Sequence, residues 1–300
     1  MSSTLVLVKK FLEADDALRS QGGLFDRIRD LIFDENQRMK HSFPVEVSYG
    51  TFVLPNEYQK DRNMYYGKND CMRVCIRCRK AFQVDATGLQ KRASKLVCQD
   101  HEGNAYPFHI HDQQPAENLQ KFDRALTDSG KIKGGIFAID VEMVYTSRGQ
   151  SVGRVTMVNC TGKIVVDEIV KQEDEVFDPV TQFSGLTMEI LKNASTSLDQ
   201  VRQKILSLLD SHSVVVGHGL YGDLKALRIV HDLVIDTALI FSHNGKRPSL
   251  RHLTSDLLGR TIQDSASGHC SAEDALASLE LMYYGVMHPE TLNPDFCNFE

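Results

Sequence analysis

Apolar positions follow two distinct periods along this chain. From Gly134 onward the alternation is that of strands and helices in turn. Gly135 to Val144 reads as a strand, with Phe137, Ile139, Val141 and Met143 on one face and Ile136, Ala138, Asp140 and Glu142 on the other. Both faces begin apolar, as in a central strand covered on both sides. Val152 to Val158 and Lys163 to Val170 read as two more strands, joined by a hairpin turn at Thr161-Gly162. Short and long helices follow at Thr187 to Lys192 and after a cap at Ser197, where Leu198, Val201, Ile205, Leu208 and Leu209 share a face. Ser213 to Gly217 predicts a buried strand, Tyr221 to Val230 a helix, and Val234 to Asp236 a short strand. Ser249 to Leu258 and Ser271 to Tyr284 predict the last two helices. A strand hairpin followed by alternating helix and strand predicts an α/β domain with a mixed sheet and flanking helices over residues 134–287.

The preceding residues are organised differently. Val8, Phe11, Leu12, Ala17 and Leu18 fit one amphipathic helix, and Leu24, Ile28, Leu31 and Ile32 a second. Pro44, Gly50 and Pro55 point to irregular structure, so residues 1–70 read as a helical and irregular segment without chemistry of its own. Residues 112–133 are polar and read as a linker with a short helix from Glu117 to Leu126. Residues 288–300 read as a tail.

Composition narrows the function classes. The chain has 300 residues and a formal net charge of −6, so a nucleic-acid partner would have to be met by local basic patches. No apolar run approaches the roughly 20 residues of a membrane helix, so no membrane partner is expected. Met1 to Val8 is too short for the core of a signal peptide. Seven cysteines without a secretory signal read as reduced thiols in a nuclear or cytoplasmic protein, not a secreted one.

Four of the metal-ligating residues fall in residues 71–111. Cys75-x-x-Cys78 and Cys98-x-x-His101 form two tight pairs about 20 residues apart, the spacing of a closed structural zinc site. Cys71, His109 and His111 are spare candidates, and His101 is the less secure of the four. Arg73, Arg77, Arg79, Lys80, Lys91, Arg92 and Lys95 are opposed between 71 and 95 only by Asp85. Phosphate contact and a solvated face account equally well for that excess.

The α/β region carries carboxylates where apolar residues belong. Asp140 and Glu142 lie two residues apart on one face of a buried strand. Isolated buried carboxylates are costly, and a hard divalent cation relieves both burial and repulsion. Asp223 opens the helix after Gly217-His218-Gly219 and shares its buried stripe with Leu220 and Leu227. Asp274 lies three residues after Ser271, the expected N-cap, with His269 on the loop before it. Taken singly, these read as a strand end emerging into water, two first-turn aspartates and a solvated histidine. Taken together, they read as one site at one end of the sheet.

Asp140-x-Glu142, Gly217-His218-x-Leu220-x-x-Asp223 and His269-x-x-x-x-Asp274 together resemble the three-part signature of the DEDDh 3′–5′ exonucleases. Leu233 to Phe241, around Asp236-Thr237, resembles the segment between the last two motifs. The sequence Ile139 to Val144 and the Ser249-Leu250-Arg251-His252-Leu253 helix are similar to the eukaryotic RNA exonuclease 1 branch, whose members carry a Cys/His-rich segment before the exonuclease domain. Cys270 departs from the aspartate often found there. The resemblance implies a ribonuclease H-like fold and two Mg²⁺ or Mn²⁺ ions, about 4 Å apart, on Asp140, Glu142, Asp223 and Asp274. It implies His269 as general base, RNA with a free 3′ end as substrate, nucleoside 5′-monophosphates as products, and a nuclear location with a cytoplasmic one open. Met143 is the candidate contact to the terminal base, with core packing the alternative. Arg247 and Arg251, with Arg148 and Arg154, are candidate phosphate contacts. A DNA exonuclease ranks second, and a non-catalytic RNA-binding module third.

Overall fold

The computed structural model describes residues 27–55, 71–85, 87–90, 98–100, 103–111, 122–125, 134–264 and 268–296. Its centre is a mixed six-stranded sheet. The strands are β1 (Gly135–Thr146), β2 (Gly149–Asn159), β3 (Ile164–Ile169), β4 (Val176–Asp178), β5 (Ser213–Gly217) and β6 (Val234–Asp236). The spatial order is β3-β2-β1-β5-β6, with β4 pairing beside the far end of β1. The first three strands are antiparallel, whereas β5 runs parallel to both β1 and β6. This is the mixed α/β arrangement that the alternation predicts, and it agrees with the ribonuclease H-like fold that the resemblance implies. The helices that frame the site are α1 (Thr181–Ser184), α2 (Met188–Lys192), α3 (Leu198–Leu208), α4 (Leu220–Leu227), α5 (Leu250–Leu258) and α6 (Ser271–Met287), and shorter ones span Glu35–Lys40 and Thr237–Ile240. Among the described residues, no helix is long and apolar enough to cross a membrane.

Local chemistry explains most boundaries. Ser197 and Gln200 form a reciprocal capping box at the start of α3. Helix α4 is shorter than the expected span to Val230, because Arg228 turns into the left-handed region (φ 57°, ψ 43°) and closes it. Ile229 and Val230 then pair in parallel with Asp123 and Arg124, pinning part of the segment read as a linker. Ser271 is not the N-cap of α6. Cys270 occupies that position without a side-chain cap, and the Ser271 hydroxyl is buried against Thr156 at 2.6 Å.

Two segments that read as lying outside the domain complete its core. Ile28, Leu31, Phe33 and Phe43 from the N-terminal side, and Leu292 and Phe296 from the C-terminal side, join one apolar cluster with the sheet. The Phe33 amide donates to the Val234 carbonyl on β6 at 3.0 Å, and Phe33 and Phe296 rings lie 5.2 Å apart. Edge strand β6 is thereby covered. The proposed first helix, through Leu18, lies outside the described residues, as do residues 117–121 of the expected Glu117 to Leu126 helix, whose Asp123 and Arg124 form a strand instead.

A small module precedes the sheet. Met72–Val74 pairs with Ala81–Gln83, and Cys98–Gln99 with Ala105–Tyr106, all antiparallel. Cys75, Phe82, Val84, Cys98 and Ile110 form its core, against which Tyr145 and Phe177 of the sheet pack.

Candidate active site

Strand register places the first two acids. Asp140 lies opposite Thr156 and Glu142 opposite Arg154, with a bulge between Glu142 and Met143. Beside them β5 ends at Gly217, where a Cβ would meet Leu220 Cδ1 at 2.9 Å and the Ile139 carbonyl at 3.3 Å. That close approach requires glycine and starts α4 against β1. The turn is held by Asp236, whose Oδ1 accepts from the Gly219 amide at 2.8 Å and the Ala238 amide at 2.9 Å. Thr237 donates to the Gly217 carbonyl at 3.0 Å and lies 3.0 Å from His218 Nδ1. Asp236 and Thr237 therefore shape the turn that delivers Asp223, a task the sequence did not reveal because it depends on β5 and β6 being neighbours.

Asp274 and His269 come from the far end of the chain. Ala277 and Leu281 bury one face of α6, and Asp274 on the same face is buried too. His269 Nδ1 lies 3.7 Å from Asp274 Oδ2, and the Gln263 side chain donates to the same oxygen at 2.8 Å. Ligand atoms of Glu142, His269 and Asp274 all fall within 4.8 Å of one another. The His269 amide donates to the Phe183 carbonyl at 2.7 Å, and the two rings meet edge-on at 5.8 Å.

Crowding of carboxylates governs the electrostatics. Burial, then the charges of Asp223, Glu142 and Asp274, push the Asp140 carboxyl well above the usual carboxylate range. Burial, with Asp236 and Glu142, does the same to Asp223. Burial and Asp274 raise Glu142 to about 7, against the pull of Arg154. Burial raises Asp274, although Gln263 and His269 oppose it. Asp274 Oδ1 is buried without a hydrogen-bond partner. An oxygen-only acid cluster with an orphaned acceptor fits hard divalent cations, which would stabilise all four ionised forms.

The candidate substrate contacts are dispersed. Met143 packs half-buried against the main core. Arg247 lies 3.4 Å from His41 Nδ1 and 5.6 Å from the Tyr221 ring centroid. Exposed Arg251 pairs with Asp264 at 2.5 Å. Arg154 forms a bidentate pair with Asp167 at 2.7 and 2.8 Å, and Arg148 donates to the Thr87 carbonyl.

A second constellation lies in the module. Ligand atoms of Cys75, Cys78, Cys98 and His109 fall within 4.8 Å of one another. Cys75 and Cys98 sulfurs are 3.5 Å apart, and Cys78 Sγ is 3.4 Å from His109 Nδ1. Burial resists ionisation of Cys75. Amides of Cys78 and Ile110, the His109 ring and the Arg77 amide nevertheless bring its thiol down to about 6. Burial and the neighbouring Cys75 and Cys78 push Cys98 up to about 12. Three crowded thiols and one imidazole suit a tetrahedral soft-ligand site. His101, the expected fourth ligand, lies outside the described residues; among the described ones His109, a spare candidate, is the imidazole beside the three thiols. The Cys98–Gln99/Ala105–Tyr106 ladder folds the chain back, so a residue eleven positions from Cys98 returns to the cluster.

Residues 137–282 match the exonuclease family RNase_T, a span that contains Asp140, Glu142, Asp223, His269 and Asp274. This stretch is an RNase_T exonuclease domain. The chain is similar to Rex1-like DEDDh exonucleases. Human RNA exonuclease 5 is 35% identical over 210 residues, covering 67% of this chain and 27% of that protein. Human RNA exonuclease 1 homolog is 29% identical over 296 residues, covering 88% and 24%. Exonuclease GOR of Pan troglodytes is 30% identical over 309 residues, covering 92% and 44%. The chain spans less than half the length of these curated relatives. Among solved structures, the exonuclease domain resembles the Saccharomyces cerevisiae Pan2 pseudoubiquitin hydrolase-RNA exonuclease module bound to AAGGAA RNA. That likeness has a TM-score of 0.49 and 27% identity, over 55% of this chain and 31% of that one.

Proposed function

We propose that this protein is a metal-dependent 3′–5′ RNA exonuclease that releases nucleoside 5′-monophosphates, with 3′-end trimming of structured or non-coding RNA as its setting. The observation that carries the reading is the convergence of Glu142, Asp274 and His269 within 4.8 Å, beside Asp140 and Asp223, inside an exonuclease domain. The names of the RNA exonuclease relatives support RNA as substrate. A nuclear or cytoplasmic location goes with the same resemblance.

Asp140, Glu142, Asp223 and Asp274 would hold two Mg²⁺ or Mn²⁺ ions. When bound, such ions supply Lewis-acid stabilisation of the attacking and leaving oxygens. His269 takes the proton of the attacking water. Asp274, 3.7 Å from its Nδ1, stabilises the imidazolium that results. Gln263 and Phe183 hold Asp274 and His269 respectively in place. Cys75, Cys78, Cys98 and His109 would hold one structural Zn²⁺, which soft thiolate and imidazole ligands suit better than they suit Mg²⁺.

The test uses RNA and DNA oligomers of matched sequence, labelled at the 5′ end, with Mg²⁺ or Mn²⁺. A ladder shortening one nucleotide at a time on RNA, lost in Asp140→Asn with an unchanged fold, is expected. Faster shortening of DNA moves the assignment to a DNA exonuclease. Absence of hydrolysis with both substrates and tight RNA binding would make it a binding module.

A further inference from the structure

Among the described residues, the Cys/His module touches the exonuclease domain at the β4–α1 segment and at the β1–β2 hairpin. Arg77, between Cys75 and Cys78, forms an ion pair with Asp178 and stacks 3.8 Å over the Tyr106 ring. Phe108, the residue before His109, stacks on Phe177 at 3.9 Å with the rings 6° from parallel. The loop 87–90 adds backbone contacts. The Gln90 amide donates to the Ser147 carbonyl at 3.1 Å, and the Arg148 guanidinium donates to the Thr87 carbonyl. Both side chains that grip β4 are thus adjacent in sequence to the residues of the thiol and imidazole cluster.

From β4 the contact chain leads directly to His269. Asp178 uses one oxygen for Arg77 and the other to accept from the Val180 amide at 2.8 Å. Val180 sits in the left-handed region (φ 53°, ψ 42°), where a β-branched residue is strained and needs support from its surroundings. Helix α1 starts there. Ser184 donates to the Pro179 carbonyl at 2.6 Å and Thr181 to the Leu186 carbonyl at 2.5 Å, making the turn a closed unit. That unit then meets the loop of the base. Phe183 accepts from the His269 amide at 2.7 Å. Gly268 presses so closely on Gly185 and Thr181 that a Cβ would lie 2.3 Å from the Gly185 nitrogen.

We propose that the Cys/His module is a buttress for His269: Arg77 and Phe108 hold Phe177 and Asp178, which set the strained Val180 turn and with it the carbonyl that fixes the His269 backbone. Arg77, Phe108 and Phe183 are positioning residues in this scheme, and the module needs no contact with RNA to influence turnover. The inference rests on His269 as general base. The test is a double-mutant cycle joined to a readout that is independent of catalysis.

Arg77→Ala and Phe108→Ala are made in the full chain, with Arg77→Lys and Phe108→Leu as milder versions should either fail to fold. Amide hydrogen exchange is followed at His269 and across Ser213–Gly217. Each variant is expected to speed exchange at His269 without changing β5, and Arg77→Lys to restore part of the protection. Displacement of the base by a fraction of an ångström to about 1 Å should lower kcat roughly ten- to a hundredfold, with little change in KM. In a His269→Ala background the same variants should have no further effect on kcat. Full additivity in that background, with the loss expressed in KM, would show that the module acts on RNA and would overturn the buttress. Unchanged exchange at His269 would overturn it as well. If His269→Ala alone leaves the rate intact, the general-base reading fails, while the exchange data still decide whether the module holds this loop.

Discussion

Gly268→Ala probes the base loop by a single methyl group. Gly268 has φ +101°, and an added Cβ would lie 2.3 Å from the Gly185 nitrogen, 2.4 Å from its Cα and 2.6 Å from the Thr181 carbonyl oxygen. All three are backbone atoms, so no side chain can swing away. Normal contact would require the strands of the loop to separate by roughly 1 Å, since nonbonded carbon atoms rest near 3.5–4.0 Å and only part of the overlap can be absorbed. The positive φ adds on the order of 1 kcal/mol for a residue with a Cβ. His269 follows directly and is anchored by its amide to Phe183 across the same gap. A displacement near 1 Å corresponds to roughly a hundredfold loss of rate, or about 2.7 kcal/mol of transition-state stabilisation. The assay is single-turnover cleavage of 5′-labelled RNA, with thermal melting on the same sample. Gly259→Ala is the control. Gly259 also has positive φ (+63°) but nothing within 4 Å, so it should show the conformational strain alone and a normal rate. A Gly268→Ala enzyme with wild-type turnover would refute the claim that this contact positions the base.

Three further outcomes follow from the two clusters. Without catalytic ions, Glu142 is raised to about 7 from 4.5, so the folded state binds the proton more tightly than the unfolded one. Stability should therefore fall as pH rises from about 4.5 to 7, by on the order of 3 kcal/mol from this group, and level off above. Melting temperatures measured against pH should show that decline, Glu142→Gln should reduce it, and added Mg²⁺ should flatten it. His269→Ala should lower turnover by roughly a hundredfold or more, with calorimetry showing Mn²⁺ binding retained on the four carboxylates. Elemental analysis should find one zinc per chain, which His109→Ala weakens and His101→Ala leaves in place. The reverse result would return the fourth ligand to His101.

Much of the exonuclease domain was legible in the sequence, because strand and helix periods report which face each residue takes. Phe137 to Met143 announced a central strand, and the carboxylates of Asp140 and Glu142 stood out against it. The stripe of Leu220 and Leu227 placed Asp223 toward the sheet, and Ala277 and Leu281 did the same for Asp274. Cys75, Cys78 and Cys98 were visible as metal-ligand types at metal-ligand spacing. What the chain order could not show were contacts between segments remote in sequence. That His109 joins the thiols depended on a two-residue ladder that folds the chain back to them. The membership of Phe33 and Phe296 in the main core depended on the exposed edge of β6, which exists only once the sheet is assembled. Asp236 became a support for Asp223 because parallel pairing sets it beside Gly217. The restraint on His269 lies in a carbonyl at Phe183 and a space too small for a Cβ at Gly268, neither of which has a side-chain signature. Periodicity is a local property of the chain, and it determined the elements and the chemistry they carry. The distances between those chemistries were decided by the packing of elements far apart in sequence, which only the tertiary structure contains.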